Sequence, residues 1–207
     1  MKITKIKEDI TSEIANSFKN SIAIDTEATG LQIPERDKLS LIQICDENGN
    51  VFIIQPNKNN FEAPNLVSVL ENEKILKIGH YLRFDKNALE FFLKCKMKNI
   101  FDTKIASKIV RTYTDSHGLK NLVQEFCNKS LDKRQGSSDW NKDIDELSDK
   151  QLEYAANDVI YLHKIHQELN TILVREKRID LYKDCLKFLK TRVDLDLALF
   201  KDDIWSH

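Results

Sequence analysis

The hydrophobic positions along this chain change their spacing near Leu82. Before that point, short apolar runs rich in β-branched residues stand between turn residues, which is typical of strands. The runs are SIAID, the two halves of LSLIQICDENGNVFIIQ around an Asn48-Gly49 turn, and KILKIGH. A short helix is predicted around Asp9–Phe18. The pattern therefore predicts a meander of three strands, followed by a helix and a fourth strand.

After this point the apolar residues recur at helical spacing, interrupted by NIFD as a short fifth strand. Further helices are predicted over Leu119–Phe126, from Ser148 onward and over roughly Leu181–Val193. Ser148 and Gln151 form a capping box at the start of the middle one of these. The predicted fold class is α/β, with a mixed five-stranded sheet flanked by helices and a helix-rich C-terminal half.

Chain length and composition favour a single domain. The 207 residues include 5 Gly and 3 Pro, and no flexible linker or internal repeat interrupts them. We expect one domain over residues 1–207, with its motif core at about 21–169 and a C-terminal helix and tail at 178–207. No segment approaches the ~20 apolar residues of a membrane span, and the N-terminus has no signal-like apolar run. A cytoplasmic protein without a membrane partner is expected.

Charge and cysteine usage narrow the chemistry further. The chain has 32 Lys+Arg against 33 Asp+Glu, so a nucleic-acid enzyme of this composition needs a local basic groove instead of a global basic field. Cys45, Cys95, Cys127 and Cys185 form no CxxC pair. This spacing excludes zinc ribbons and thioredoxin-like redox motifs.

Five polar residues occupy positions that suit a site for two divalent metal ions. Asp25 and Glu27 lie two apart in a strand and project from one side of it. Asp85 follows the KILKIGH strand, where a helix begins, and Tyr154 and Asp158 are one turn apart on a helix. Mg²⁺ and Mn²⁺ prefer oxygen ligands, and two such ions clamp the reacting oxygens of a phosphodiester. Each motif alone is common by chance, so the evidence is their conjunction.

The strings IDTEATGL, HYLRFD and YAANDVIYL resemble the three exonuclease motifs of the DEDD superfamily of 3′-5′ exonucleases, which share an RNase H-like fold. Tyr154 is similar to the tyrosine of its DEDDy branch. The stretches IFDTKIASKIV and HGLKNLVQEFCNKSLDKRQGSSDW resemble the ribonuclease D catalytic domain, and the resemblance covers roughly Ser21 to Leu169. Longer ribonuclease D proteins append helical nucleic-acid-binding (HRDC) domains. This chain resembles a form with the catalytic domain alone.

The resemblance implies a role for each of the five residues. Asp25 would bridge two divalent cations, Mg²⁺ or Mn²⁺, and Glu27 and Asp158 would complete the site that activates water. Asp85 would anchor the second ion. Tyr154 would orient the water, since a phenol with a pKa of about 10 is a poor base at neutral pH.

Six further positions are candidate substrate contacts: Thr26, Leu31, His80, Phe84, Lys133 and Trp140. Leu31 suits a wedge beside the last base and equally suits a core position. His80 would bond the substrate or satisfy the strand end. Phe84 and Trp140 are interpreted first as packing residues, whereas Lys133 is favoured as an RNA contact.

The function predicted from these features is a metal-dependent 3′-5′ exoribonuclease. It would remove nucleoside 5′-monophosphates from single-stranded RNA 3′ ends, in tRNA or other stable RNA 3′ processing. The motifs do not encode the sugar, so a 3′-5′ exodeoxyribonuclease of the same fold is the alternative. An inactive RNA-binding scaffold and an α/β domain with chance acidic clusters are the other readings, and the oligomeric state stays open.

Overall fold

A six-stranded mixed sheet forms the centre of the computed structural model, which describes residues 2–33, 35–131, 138–200, 202 and 204. The strands are β1 (Lys2–Lys7), β2 (Ser21–Ala28), β3 (Leu39–Cys45), β4 (Asn50–Gln55), β5 (Leu76–Gly79) and β6 (Ile100–Asp102). Their order across the sheet is β1-β4-β3-β2-β5-β6. The pairs β2–β3 and β3–β4 are antiparallel, whereas β1–β4, β2–β5 and β5–β6 are parallel. β2 is therefore central, with paired neighbours on both sides.

Helices cover the sheet and make up most of the second half. They are α1 (Ser12–Ser17), α2 (Pro64–Glu71), α3 (Arg83–Phe92), α4 (Thr103–Val110), α5 (Leu119–Cys127), α6 (Asp149–Ile160), α7 (Leu162–Arg175) and α8 (Ile179–Leu197). The predicted α/β class and the helix-rich second half are confirmed. Within the described ranges, none of these helices has the length and apolar character needed to cross a bilayer.

The predicted count of five strands is wrong because the sequence analysis missed β1. This strand is KITKIK, and it pairs with β4 along its whole length, from Lys2 opposite Asn50 to Lys7 opposite Gln55. Lysine-rich composition hides the strand pattern, but lysines suit a sheet edge because their charge opposes pairing with another chain. The last helix also extends beyond the predicted Leu181–Val193 at both ends.

The alternation of side chains along β2 divides the core into two layers. Ala23 belongs to a buried cluster that includes α6 and α7, whereas Ile22 and Ile24 belong to a cluster that includes α2 and α3. Because successive strand residues point to opposite faces, Asp25 shares the α6 face with Ala23, and Thr26 shares the α3 face with Ile24. The strand thus presents polar groups toward two different helices.

The junction between β5 and α3 is tightly constrained by its neighbours. A Cβ atom on Gly79 would lie 2.2 Å from the Leu82 side chain and 3.1 Å from the backbone oxygen of Ile24, so glycine permits this close approach to β2. Tyr81 has a φ of 65°, in the left-handed region that non-glycine residues rarely adopt. Such a turn persists only where surrounding contacts hold it.

Asp102 supplies those contacts. Its fully buried carboxylate accepts hydrogen bonds from the backbone N–H groups of Leu82 (2.7 Å), Lys104 (2.8 Å) and Ile105 (2.9 Å). One side chain therefore satisfies orphan donors at the starts of both α3 and α4. The Asp102 N–H also donates to the buried hydroxyl of Tyr182 at 2.8 Å, which fastens α8 to β6.

We predict that Asp102→Ala lowers the free energy of unfolding by about 2–4 kcal/mol, because several buried N–H groups lose their acceptor at once. Urea unfolding measures this change. Glu153→Ala, which removes an exposed carboxylate from α6, is the control and is expected to stay within about 0.5 kcal/mol of the parent. Equal stability of the two variants would contradict the double-capping role.

Candidate active site

Three carboxylates from β2 and α6 meet at the end of the central strand. One carboxylate oxygen of each of Asp25, Glu27 and Asp158 lies within 4.8 Å of the other two. The β2–β3 register shifts between Glu27 and Ala28, and such an irregularity bends the strand beside the site. On α6 the predicted capping box of Ser148 is present, so the helix starts at a defined residue and presents Asp158 to β2.

Asp85 joins this cluster from the opposite layer. It lies in the first turn of α3 and is 3% exposed. The hydroxyl of Thr26 donates a hydrogen bond to Asp85 Oδ1 at 2.7 Å. This bond ties the first acidic motif to the second, so Thr26 positions a carboxylate directly.

Burial and mutual repulsion raise the pKa values of these acids. Burial raises the pKa of Asp25 well above its usual range, and the nearby charges of Asp85, Asp158 and Glu27 raise it further. The pKa of Glu27 rises to about 8 through burial and the charges of Asp158 and Asp85, and burial raises that of Asp85 to about 7. Carboxylates at this separation cannot all ionise without a compensating positive charge. The donor set is all oxygen, so these residues fit hard divalent cations.

Tyr154 lies one turn before Asp158, as predicted, and is half-buried. Burial raises its pKa above the usual value for a phenol, and the charges of Asp158, Glu27 and Asp25 act in the same direction. The hydroxyl therefore stays protonated and acts as a hydrogen-bond donor. Trp140 packs near it, with ring centroids 6.0 Å apart, and is 4% exposed inside the core. This placement matches the packing role that the sequence analysis preferred for Trp140.

A cavity of about 700 Å³ opens beside the carboxylates. Asp25, Thr26 and Asp85 lie in its wall together with Leu31, His80 and Phe84, all singled out from the sequence. Leu31 is 82% exposed, so the core interpretation of that residue is wrong. Lys133 lies outside the described residues.

The contacts of the other two sequence candidates differ. His80 Nδ1 lies 2.9 Å from the hydroxyl of Thr103, which in turn donates to the backbone oxygen of Gly79 at 2.9 Å. His80 therefore satisfies the strand end while also facing the cavity. Phe84 is half-buried in the cavity wall. An aromatic ring in that place can contact a base.

Sequence reasoning missed the part of the wall that comes from the end of α8. Arg83 forms a bidentate ion pair with Asp196, with Nε and Nη2 each 2.8 Å from a carboxylate oxygen. Leu199 and Phe200 follow in the same wall. Arg83 lies within the HYLRFD motif, but nothing in DLDLALF indicates that Asp196, 113 residues away, is its partner.

Comparison with known proteins agrees with this geometry. A family model described as 3′-5′ exonuclease matches residues 2–174. NrnC of Brucella melitensis with bound Mg²⁺ is 41% identical with a TM-score of 0.91, and the match covers 100% of both chains. The same protein bound to pGG matches with a TM-score of 0.92. These likenesses cover the whole chain and confirm the predicted fold class.

The curated relatives are longer proteins, and this chain matches only part of each of them. Ribonuclease D of Gluconacetobacter diazotrophicus is 28% identical over 200 residues, which are 95% of this chain and 48% of that protein. DNA polymerase I of Aquifex aeolicus is 34% identical over 152 residues, 72% of this chain and 24% of the polymerase. The chain spans about half or less of the length of these two relatives, and the predicted ribonuclease D resemblance is confirmed. With the matched family model covering most of its residues, the chain belongs to the 3′-5′ exonuclease family.

Proposed function

We propose that this 3′-5′ exonuclease depends on two divalent cations and acts on single-stranded RNA 3′ ends, releasing nucleoside 5′-monophosphates. The observation that carries the proposal is the carboxylate cluster of Asp25, Glu27 and Asp158, of which Asp25 also lines an open cavity together with the exposed Leu31. A bound cation stabilises the ionised form of carboxylates whose pKa values are raised. The cavity volume lies within the ~300–1,000 Å³ that is usual for small-ligand clefts.

The residues that would hold the ions are Asp25, Glu27, Asp158 and Asp85. When bound, two divalent ions supply a nucleophilic water at neutral pH and stabilise charge on the leaving 3′ oxygen. The four carboxylates would hold the ions, and the hydrogen bond from the hydroxyl of Thr26 positions the carboxylate of Asp85. The same cluster repels phosphates in the absence of metal, so we expect substrate binding itself to require the ions.

Other side chains would orient the RNA end. Tyr154 keeps its proton, and its hydroxyl, which is hydrogen-bonded to Asp158 in the absence of cations, would donate to the attacking water once cations occupy the carboxylates. Leu31, which is largely exposed in the cavity wall, can contact the terminal base without regard to its identity. Arg83 places a guanidinium in the same wall, where it can bind a phosphate.

The names of the relatives support RNA as the substrate, and they support short molecules in particular. Ribonuclease D proteins recur among the curated relatives, and one of the whole-length likenesses is to an NrnC structure bound to pGG. We therefore propose short single-stranded RNA, including dinucleotides such as pGG, as the preferred substrate. Trimming of tRNA or other stable RNA is a wider proposal, because the chain spans about half or less of the ribonuclease D proteins. The polymerase likeness keeps DNA as the alternative.

We predict that 5′-labelled RNA of two to ten nucleotides is shortened stepwise from its 3′ end in Mg²⁺ or Mn²⁺. Asp25→Asn is expected to lower kcat by at least about 10³-fold, since it removes a group placed where reaction charge develops. EDTA should abolish the ladder. Glu153→Ala, an exposed change on α6, is the matched control and should keep full activity.

Three outcomes would contradict this proposal in different ways. Internal cleavage products would exclude an exonuclease. Faster shortening of a matched DNA oligomer would favour the exodeoxyribonuclease. Saturable RNA binding without turnover in either metal would indicate a binding scaffold.

A second prediction concerns pH and metal. The raised pKa values of Glu27 and Asp85 mean that the metal-free folded protein binds more protons than the unfolded chain, so its stability falls as pH rises from about 5 to 7.5. Cations displace those protons, so we expect Mg²⁺ to raise the melting temperature more at pH 7.5 than at pH 5. Thermal unfolding in EDTA and in Mg²⁺ measures both effects.

Asp25→Asn serves as the control for that experiment because it removes one of the repelling carboxylates. The variant should be more stable than the parent in EDTA, with a smaller loss of stability toward pH 7.5 and a smaller response to Mg²⁺. An equal Mg²⁺ shift at all pH values, or in both proteins, would show that the cluster does not hold the ions.

A further inference from the structure

Gln43 presents a fully buried amide group to the interior of the protein. It lies in β3, and its side chain is 0% exposed. Within the part of the chain that the structure describes, neither Nε2 nor Oε1 of this amide has a hydrogen-bond partner. Such a group costs free energy, because the hydrogen bonds that it made to water are lost and nothing replaces them. Native proteins keep few buried polar groups of this kind, so each one calls for an explanation.

The position of Gln43 in the sheet places this amide beside the carboxylate cluster. Gln43 lies directly opposite Asp25 in the antiparallel pairing of β3 with β2. Residues opposed in this way project from the same face of a sheet, with Cβ atoms about 4.5–5.5 Å apart. Leu41 and Cys45, at alternate positions of β3, belong to the buried cluster that includes α6, and α6 packs on both strands. The amide of Gln43 therefore lies in the same layer as Asp25 and Asp158.

The chemistry of a glutamine amide suits a contact with the Asp25 carboxylate. Nε2 carries two N–H donors, and an ionised carboxylate has about four lone-pair sites, so it can bind cations and still accept a hydrogen bond. Since no described partner holds either atom of the Gln43 amide, rotation about the last side-chain bond can turn Nε2 toward Asp25. A hydrogen bond to an ionised acceptor is about twice as strong as one between neutral groups.

We propose that Gln43 is a positioning residue of the metal site, whose Nε2 donates a hydrogen bond to the Asp25 carboxylate when that carboxylate binds the cations. This inference rests on the proposed function. A carboxylate that serves two ions must keep both of its oxygens in fixed directions, and hydrogen bonds to metal ligands provide that orientation. Gln43 thus acts on Asp25 as the hydroxyl of Thr26 acts on Asp85.

Replacement of the amide by an apolar group of similar size tests the proposal. Gln43→Met removes the unpartnered polar atoms, so we expect its melting temperature in EDTA to exceed that of the parent by about 2–4 °C. The same change removes the donor to Asp25, so the Kd for Mn²⁺, measured by titration calorimetry, should rise about tenfold. The Mn²⁺ concentration that gives half-maximal RNA cleavage should rise with it.

Gln55→Met is the matched control, because it makes the same substitution at a buried glutamine whose amide has partners. Gln55 Nε2 donates to the backbone oxygen of Lys142 at 2.7 Å, and its Oε1 accepts from the N–H of Ile144 at 3.0 Å. We expect this variant to melt below the parent in EDTA, since it leaves those two backbone groups without their partner. Its Kd for Mn²⁺ should equal that of the parent.

Three results would overturn the proposal. A lower melting temperature of Gln43→Met in EDTA would show that the amide has a partner that stabilises the fold. An unchanged Kd for Mn²⁺ in that variant would show that the amide does not support the metal site. A Kd raised equally in Gln55→Met would assign the loss to a general disturbance of the layer beneath α6. In all three cases the parent still binds Mn²⁺ and shortens RNA from its 3′ end, whereas failure of the proposed function removes one or both of these properties from the parent.

Discussion

Repulsion among carboxylates gathered at the end of the central strand is the constraint on which the rest of the structure depends. Asp25, Glu27 and Asp158 are held together although burial, and after it the charges of neighbouring carboxylates, raises the pKa values of Asp25 and Glu27. A fold keeps such a cluster only where packing fixes each member independently. Here β2 fixes two of them through its paired neighbours, and the capped helix α6 fixes the third. The resulting field favours cations and disfavours free phosphate.

The fourth carboxylate, Asp85, comes from α3 on the other face of the sheet. Gly79 lets β5 approach β2 closely, and Asp102 holds the turn from which α3 begins. A single hydrogen bond from Thr26 to Asp85 then joins β2 to α3. Through Asp102 and Arg83 the same junction reaches α8, so the last helix completes the wall of the cavity. Site and fold are thus stabilised by the same few buried polar groups.

Much of this arrangement is predictable from the sequence, and the reasons differ between elements. The apolar, β-branched runs before Leu82 and the Ser148 capping box are local signals, so they predicted the central strands and the start of α6 correctly. The strand β1 was missed because its lysines mask the alternation. The contact of Arg83 with Asp196 was not predictable, since it joins distant segments and ion pairs carry no periodic signal.

The central claim is that the carboxylate cluster binds two divalent cations side by side. Anomalous diffraction from crystals soaked in Mn²⁺ tests it most directly. The account predicts two anomalous peaks about 3.5–4 Å apart, the spacing of two-metal phosphodiesterase sites, ligated by Asp25, Glu27, Asp85 and Asp158. Peaks elsewhere on the surface with an empty cluster, at Mn²⁺ concentrations that support full activity, would contradict it.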